Sequence, residues 1–220
     1  MMQKFDPTQL TAYFVCGTQD LPANKSLPEL VEEALKAGIT AYQFRDKGPK
    51  STLKQSDRLS MAEELHQLCQ KYDVPFFIDD DVALAKKVHA EGIHVGQDDE
   101  DIAQVINEVA GQMIVGYSCS TMTEIAKGDF ITGIDYYGSG PIFTTQSKDD
   151  ADPEIGLTGL AKLVKRTSRP IVAIGGIKVT DLPAIAQTNV AGAAVISMIS
   201  QSKNIQKTVT AMLTTNWQRQ

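Results

Sequence analysis

Short apolar runs rich in β-formers alternate along the chain with longer stretches in which apolar side chains recur every three or four residues. The runs are Thr11–Cys16 (TAYFVC), Ile39–Phe44, Val74–Ile78, Gly92–Val95, Met113–Tyr117, Ile134–Gly138, Pro170–Ile174 and Ala193–Ile196. Helical spacing fills the intervals at 27–37, 52–72, 81–90, 99–110, 121–128, 157–167, 180–188 and 203–214. Within 52–72, Leu59, Ala62, Leu65, Leu68, Cys69 and Tyr72 fall on a single helical stripe. Runs such as VPFFI and PIVAI are apolar at successive positions, which suits parallel strands covered by helices on the outside. Eight strand–helix units with no linker or low-complexity tract predict an α/β fold, a single (β/α)8 TIM barrel over residues 1–220. An open sheet of fewer strands is the alternative.

A barrel of this kind places its site at the C-terminal ends of the strands, so the residues just after each run carry the chemistry. After the second run, Gln43, Arg45 and Lys47 alternate. An extended chain points all three the same way, giving amide, guanidinium and ammonium donors for a phosphate or pyrophosphate; an ordinary solvated loop would look the same. Asp79-Asp80-Asp81 follows the third run and Asp98-Asp99-Glu100-Asp101 the fourth. Both precede helical patterns, where Asp caps helices. Capping does not use seven acids, so at least one from each cluster is expected to ligate a hard cation such as Mg²⁺.

The remaining strand ends add donors. His94, alone in GIHVGQ, reads as a packed or hydrogen-bonded residue. Ser118-Cys119-Ser120-Thr121 follows the fifth run, with Thr121 and Glu124 spaced as a capping box. Nothing in the sequence pairs a histidine with a serine or cysteine, so nucleophilic catalysis has little support. The stretch Gly138–Gly156 is the most irregular, and Gly138–Lys148 within it combines glycines, hydroxyls and a lysine. Gly175-Gly176 and Ser197–Ser200 follow the seventh and eighth runs, where this fold commonly binds phosphate through backbone amides.

Composition narrows the partners. The chain has 220 residues, 42% of them hydrophobic and 22% charged, and a formal net charge of −6. The acidic total argues against nucleic acid or an anionic membrane as partner, though local cations can still receive an anionic small molecule. Cys16, Cys69 and Cys119 are odd in number, far apart and free of any C-x-x-C spacing. They read as reduced thiols of a cytoplasmic protein rather than a disulfide framework or zinc site. The N-terminus lacks the apolar core of a signal peptide, and no stretch approaches a membrane span. Assembly into a homo-oligomer is left open.

Taken in order, QFRDK, FIDDD, GIHVGQDD, GSGPIFTTQSK, IVAIGGI and SMIS, spanning residues 43 to 200, resemble the thiamine-phosphate synthase family. The resemblance implies a (β/α)8 barrel that joins hydroxymethylpyrimidine pyrophosphate to a thiazole phosphate with Mg²⁺. It implies that Gln43, Arg45 and Lys47 hold the pyrimidine pyrophosphate, that Asp80 and Asp99 bind Mg²⁺, and that Ser118 and Lys148 also contact the pyrophosphate. Thr145, Ser147 and backbone around Gly176, Ile199 and Ser200 would hold the thiazole phosphate. Arg45, Ser118 and Lys148 are the implied catalytic groups. Two positions depart from the family pattern: Asp79 stands where Asn is common, and Ser120 replaces a histidine in SCST. An ionised Asp79 cannot donate to pyrophosphate; it would ligate the metal through water or be held by Arg45. The alternatives are a thiazole tautomerase-like relative, a lyase or epimerase on the same fold, and a non-catalytic phosphate-binding barrel.

Overall fold

The computed structural model describes residues 5–109, 111–145 and 153–217. Eight parallel strands, β1 (Ala12–Cys16), β2 (Ala41–Phe44), β3 (Phe76–Asp79), β4 (Gly92–Val95), β5 (Ile114–Ser118), β6 (Tyr136–Ser139), β7 (Ile171–Ile174) and β8 (Gly192–Val195), pair in sequence order. The barrel closes where β8 pairs with β1, with Ala193 opposite Ala12 and Val195 opposite Phe14. Around it run α1 (Leu27–Ala37), α2 (Arg58–Lys71), α3 (Val82–Val88), α4 (Ile102–Val109), α5 (Met122–Asp129), α6 (Gly156–Arg166), α7 (Leu182–Ala186), α8 (Ser197–Ser200) and α9 (Ile205–Thr214). The expected (β/α)8 barrel is therefore the observed one.

Side-chain alternation along each strand divides the core in two. Outward residues such as Phe14, Tyr42, Phe44 and Ile93 pack with the inner faces of the helices. Inward residues, among them Tyr13, Val15, Phe77, Ile114, Tyr136 and Val172, fill the barrel interior. Layers of inward side chains make such a barrel a packed core rather than a pore. Two glycines make room in the upper interior. A Cβ at Gly116 would lie 2.4 Å from His94 Nδ1, and one at Gly138 would lie 2.9 Å from His94 Cε1.

Element boundaries differ from the periodicity in two instructive places. The helix expected from residue 52 starts at Arg58, because the preceding loop is held by other bonds: Thr18 Oγ1 accepts the Thr52 amide at 2.9 Å, and a 3-10 turn covers Gln55–Asp57. Residues 197–200, which fall outside the helical intervals of the periodicity, form the single-turn helix α8; four residues are too few to display a 3.6-residue period. All three cysteines are free and buried, and none of the described helices is long and apolar enough to cross a membrane.

Candidate active site

The C-terminal ends of the strands surround a cavity of about 230 Å³. Its lining includes Gln43, Arg45, Lys47, Asp79, Asp80, Asp99, Ser118, Thr145 and Gly176. The barrel thus brings these expected site residues, distant in sequence, to one mouth. Ile199 and Ser200 lie deeper. They are buried within α8, and their amides bond to the Ile196 carbonyl at 3.2 and 3.0 Å; Ser197 and Met198 are the α8 residues that reach the cavity. Ser147 and Lys148 lie outside the described residues.

Charge is concentrated on one side of the mouth. Arg45 Nε lies 3.3 Å from Asp79 Oδ2, so the guanidinium holds the carboxylate that stands in place of the family's asparagine. The Lys47 ammonium contacts Asp80 and lies 3.5 Å from Asp99 Oδ1 and 3.9 Å from Asp79 Oδ2. Asp80 adopts a positive φ of 60°, a conformation that costs energy in a residue with a Cβ and clusters at functional sites.

The two acidic clusters divide by task. Asp81 caps α3, accepting the Leu84 amide at 2.9 Å, and Asp101 accepts the Ala103 and Gln104 amides at the start of α4. Asp79, Asp80, Asp98 and Asp99 face the cavity instead. Asp99 also accepts the Gly96 amide at 2.8 Å, which fixes the turn that carries it.

The charge balance bears on a metal. The described lining contains two cations, Arg45 and Lys47, against Asp79, Asp80, Asp98, Asp99 and Glu124. For a phosphorylated ligand, a multivalent cation would offset the acidic excess of this described part of the lining. Among the described residues no three His, Cys, Asp or Glu side chains close around a metal position. Mg²⁺ does not need that: it is commonly held by one or two carboxylates plus substrate phosphates. Asp80 and Asp99, both within reach of one ammonium, supply such oxygen donors.

Deeper in the barrel the structure makes a contact that sequence spacing missed. His94 Nε2 lies 3.0 Å from Ser118 Oγ, although 24 positions separate them in the chain. The β4–β5 register pairs His94 with Gly116, so the ring crosses above a residue with no side chain. A large residue facing a glycine one strand away is the signal that could have found it. His94 Nδ1 faces the Tyr136 hydroxyl at 3.1 Å, not the orienting carboxylate of a hydrolase triad. Cys119 offers no nucleophile either, since burial pushes its thiol up to about 12. Ser120, in place of the family's histidine, donates to the Gly140 carbonyl and ties the β5 and β6 loops together.

Closed parallel topology and a cavity of paired cations and carboxylates at the C-terminal mouth define a (β/α)8-barrel protein of the kind that takes charged small molecules. The chain matches the family model for thiamine monophosphate synthase over residues 12–199, and it belongs to that family. It is 56% identical over 214 residues to the thiamine-phosphate synthase of Lactiplantibacillus plantarum, covering 97% of this chain and 98% of that one. The corresponding protein of Levilactobacillus brevis is 51% identical over 213 residues, covering 96% and 97%. Among solved structures, thiamine phosphate pyrophosphorylase from Pyrococcus furiosus superposes with a TM-score of 0.81 at 32% identity, covering 94% of this chain and 96% of that one.

Proposed function

We propose that the protein condenses 4-amino-2-methyl-5-hydroxymethylpyrimidine pyrophosphate with 4-methyl-5-(2-phosphoethyl)thiazole, giving thiamine phosphate and pyrophosphate. The observation that carries this reading is the gathering of Arg45, Lys47, Asp79, Asp80 and Asp99 around one point of the mouth. Such a cluster suits a diphosphate accompanied by a divalent cation. It is more than a tautomerase acting on a thiazole phosphate alone would use.

The chemistry asks for a stabilised leaving group. The methylene C–O bond breaks with its electron pair passing to pyrophosphate. The electron-rich pyrimidine carries the resulting positive charge until the thiazole nitrogen lone pair forms the new C–N bond. Arg45 and Lys47 bind the departing oxygens and stabilise the charge that grows on them. Asp80 and Asp99 would hold Mg²⁺, which supplies further charge neutralisation when bound. Ser118 donates to the same group, and the family pattern adds Lys148. Gln43 lies on the pyrimidine side, while Thr145 and the backbone around Gly176 receive the thiazole phosphate. Gly176 lets the loop after β7 pack against the loop after β6 at this point: its φ is 69°, and a Cβ there would lie 2.4 Å from the Phe143 carbonyl oxygen.

The partners on this reading are two phosphorylated small molecules, not nucleic acid or membrane. Incubation of the purified chain with both substrates and Mg²⁺ tests it. Thiamine phosphate should accumulate with equimolar pyrophosphate; no product above background would defeat the proposal.

A further inference from the structure

A continuous hydrogen-bond chain runs along the floor of the cavity, buried at its tyrosines and partly buried at His94 and Ser118. Gln43 Nε2 donates to the Tyr13 hydroxyl at 2.9 Å, and Tyr13 and Tyr136 share a bond at 3.1 Å. Tyr136 meets His94 Nδ1 at 3.1 Å, and His94 Nε2 meets Ser118 Oγ at 3.0 Å. Gln43, Tyr13, His94 and Ser118 border the cavity, whereas Tyr136 does not; the two tyrosines are 1% and 0% exposed. Burial raises the ionisation of both phenols well beyond their ordinary range, so each carries one hydroxyl proton and can donate once.

That proton count gives the chain a direction. Tyr13 already accepts from Gln43. If Tyr136 also donated to Tyr13, the Tyr13 proton would need another acceptor, and the described residues offer none. A buried hydroxyl proton without a partner is costly. Every proton is matched when Tyr13 donates to Tyr136, Tyr136 donates to His94 Nδ1, and His94 donates from Nε2 to Ser118.

We propose that Tyr136 is a positioning residue, which holds His94 as its Nε2–H tautomer and so turns the Ser118 hydroxyl proton toward the ligand in the cavity. The substrate side of this inference rests on the function proposed above, in which Ser118 faces the leaving pyrophosphate. Ser118 Oγ accepts from the imidazole, and its own proton is left to donate to an anionic oxygen. The opposite tautomer would consume that proton on the ring and present only a lone pair, which repels the leaving group. The geometry is built for this arrangement, because side chains at Gly116 or Gly138 would collide with the His94 ring.

Nitrogen-15 NMR of the imidazoles in the ligand-free wild-type chain reads the tautomer directly, with the His94 signal assigned by its loss in His94→Asn. The expected result is a proton on Nε2. In Tyr136→Phe that preference should be lost, and kcat should fall about tenfold with smaller changes in either KM. A wild-type His94 protonated on Nδ1 would overturn the proposal, as would an unchanged tautomer and kcat in a folded Tyr136→Phe variant. If that variant does not fold, the wild-type spectrum decides alone. Failure of the two readings is distinguishable: normal turnover with an Nδ1 proton sinks the relay, while an Nε2 proton in a chain that makes no thiamine phosphate upholds the relay and sinks the synthase assignment.

Discussion

The two ends of the barrel use the same kinds of polar residue for opposite purposes. At the N-terminal end, the residue just before β2, β4 and β6 clamps an amide at the start of the strand before it. Thr40 accepts the Ala12 amide at 2.8 Å, Glu91 accepts the Phe76 amide at 2.9 Å, and Asp135 accepts the Val115 amide at 2.8 Å. These groups serve the backbone, and their partners are fixed by the fold. At the C-terminal end, Asp79, Asp80 and Asp99 share one lysine and face a cavity. A carboxylate whose partners are backbone amides is structural. One that gathers with like charges around an opening does chemistry, because the fold alone gives no reason to bear that repulsion.

The sharpest break in this symmetry is expected at Asp80. Asp80→Ala should lower turnover at saturating Mg²⁺ by on the order of 10²–10³, the scale seen when a transition-state charge contact is lost. The midpoint of thermal unfolding should fall little, since no backbone clamp is removed. Steady-state rates beside a circular-dichroism melt check both halves, and near-normal activity would remove Asp80 from the site. Next in size is Arg45→Ala. Loss of a charged hydrogen bond costs roughly 1.5–3 kcal/mol, so KM for the pyrimidine pyrophosphate should rise about tenfold to a hundredfold. KM for the thiazole phosphate should change less; the reverse order would mean that the two subsites are exchanged.

The bottom of the barrel should respond the other way. Glu91 accepts the Phe76 amide and pairs with His66 Nε2 at 3.0 Å. Glu91→Ala leaves the Phe76 amide without its acceptor and His66 with only Gln70, at 3.3 Å, at a cost of about 1–3 kcal/mol in unfolding free energy. The rate per folded molecule should be unchanged. Urea titration and active-site-normalised rates separate the two effects. A variant with wild-type stability and reduced kcat would erase the functional distinction between the two ends.

The sequence makes this polarity only partly legible. Strand order, closure and the cavity-facing Gln43, Arg45 and Lys47 follow from period-two alternation and from the rule that strand C-termini carry the site, whereas Asp80 and Asp99 are picked out of their clusters only by the family resemblance. The division of labour inside DDD and DDED does not follow, because a capping aspartate and a cavity aspartate are chemically identical until the helix start is known to the residue. The N-terminal clamps are equally silent. Thr40, Glu91 and Asp135 look like loop polar residues, and their partners lie 28, 15 and 20 positions away. His94 and Ser118 meet only through strand register, which no local periodicity encodes. Ser197–Ser200 gives no helical signal because it completes a single turn.

The smallest expected effect discriminates most finely, since it concerns one clamp and one proton. Burial alone would push Glu91 up, but the His66 hydrogen bond and the Phe76 amide outweigh it and hold the carboxyl below its ordinary 4.5. A carboxylate with a depressed folded-state value binds its proton more weakly in the native chain than in the unfolded one. Its contribution to stability is therefore complete above about pH 4.5 and drains away as pH falls through the lower native value. The difference in unfolding free energy between wild type and Glu91→Gln should accordingly shrink as pH falls below about 4.5. Urea unfolding of both proteins across that range measures the difference. A gap that stays constant, or widens, between about pH 4.5 and pH 3 would show that the clamp acts through packing or through a neutral hydrogen bond, and that the charge on Glu91 adds nothing to the base of the barrel.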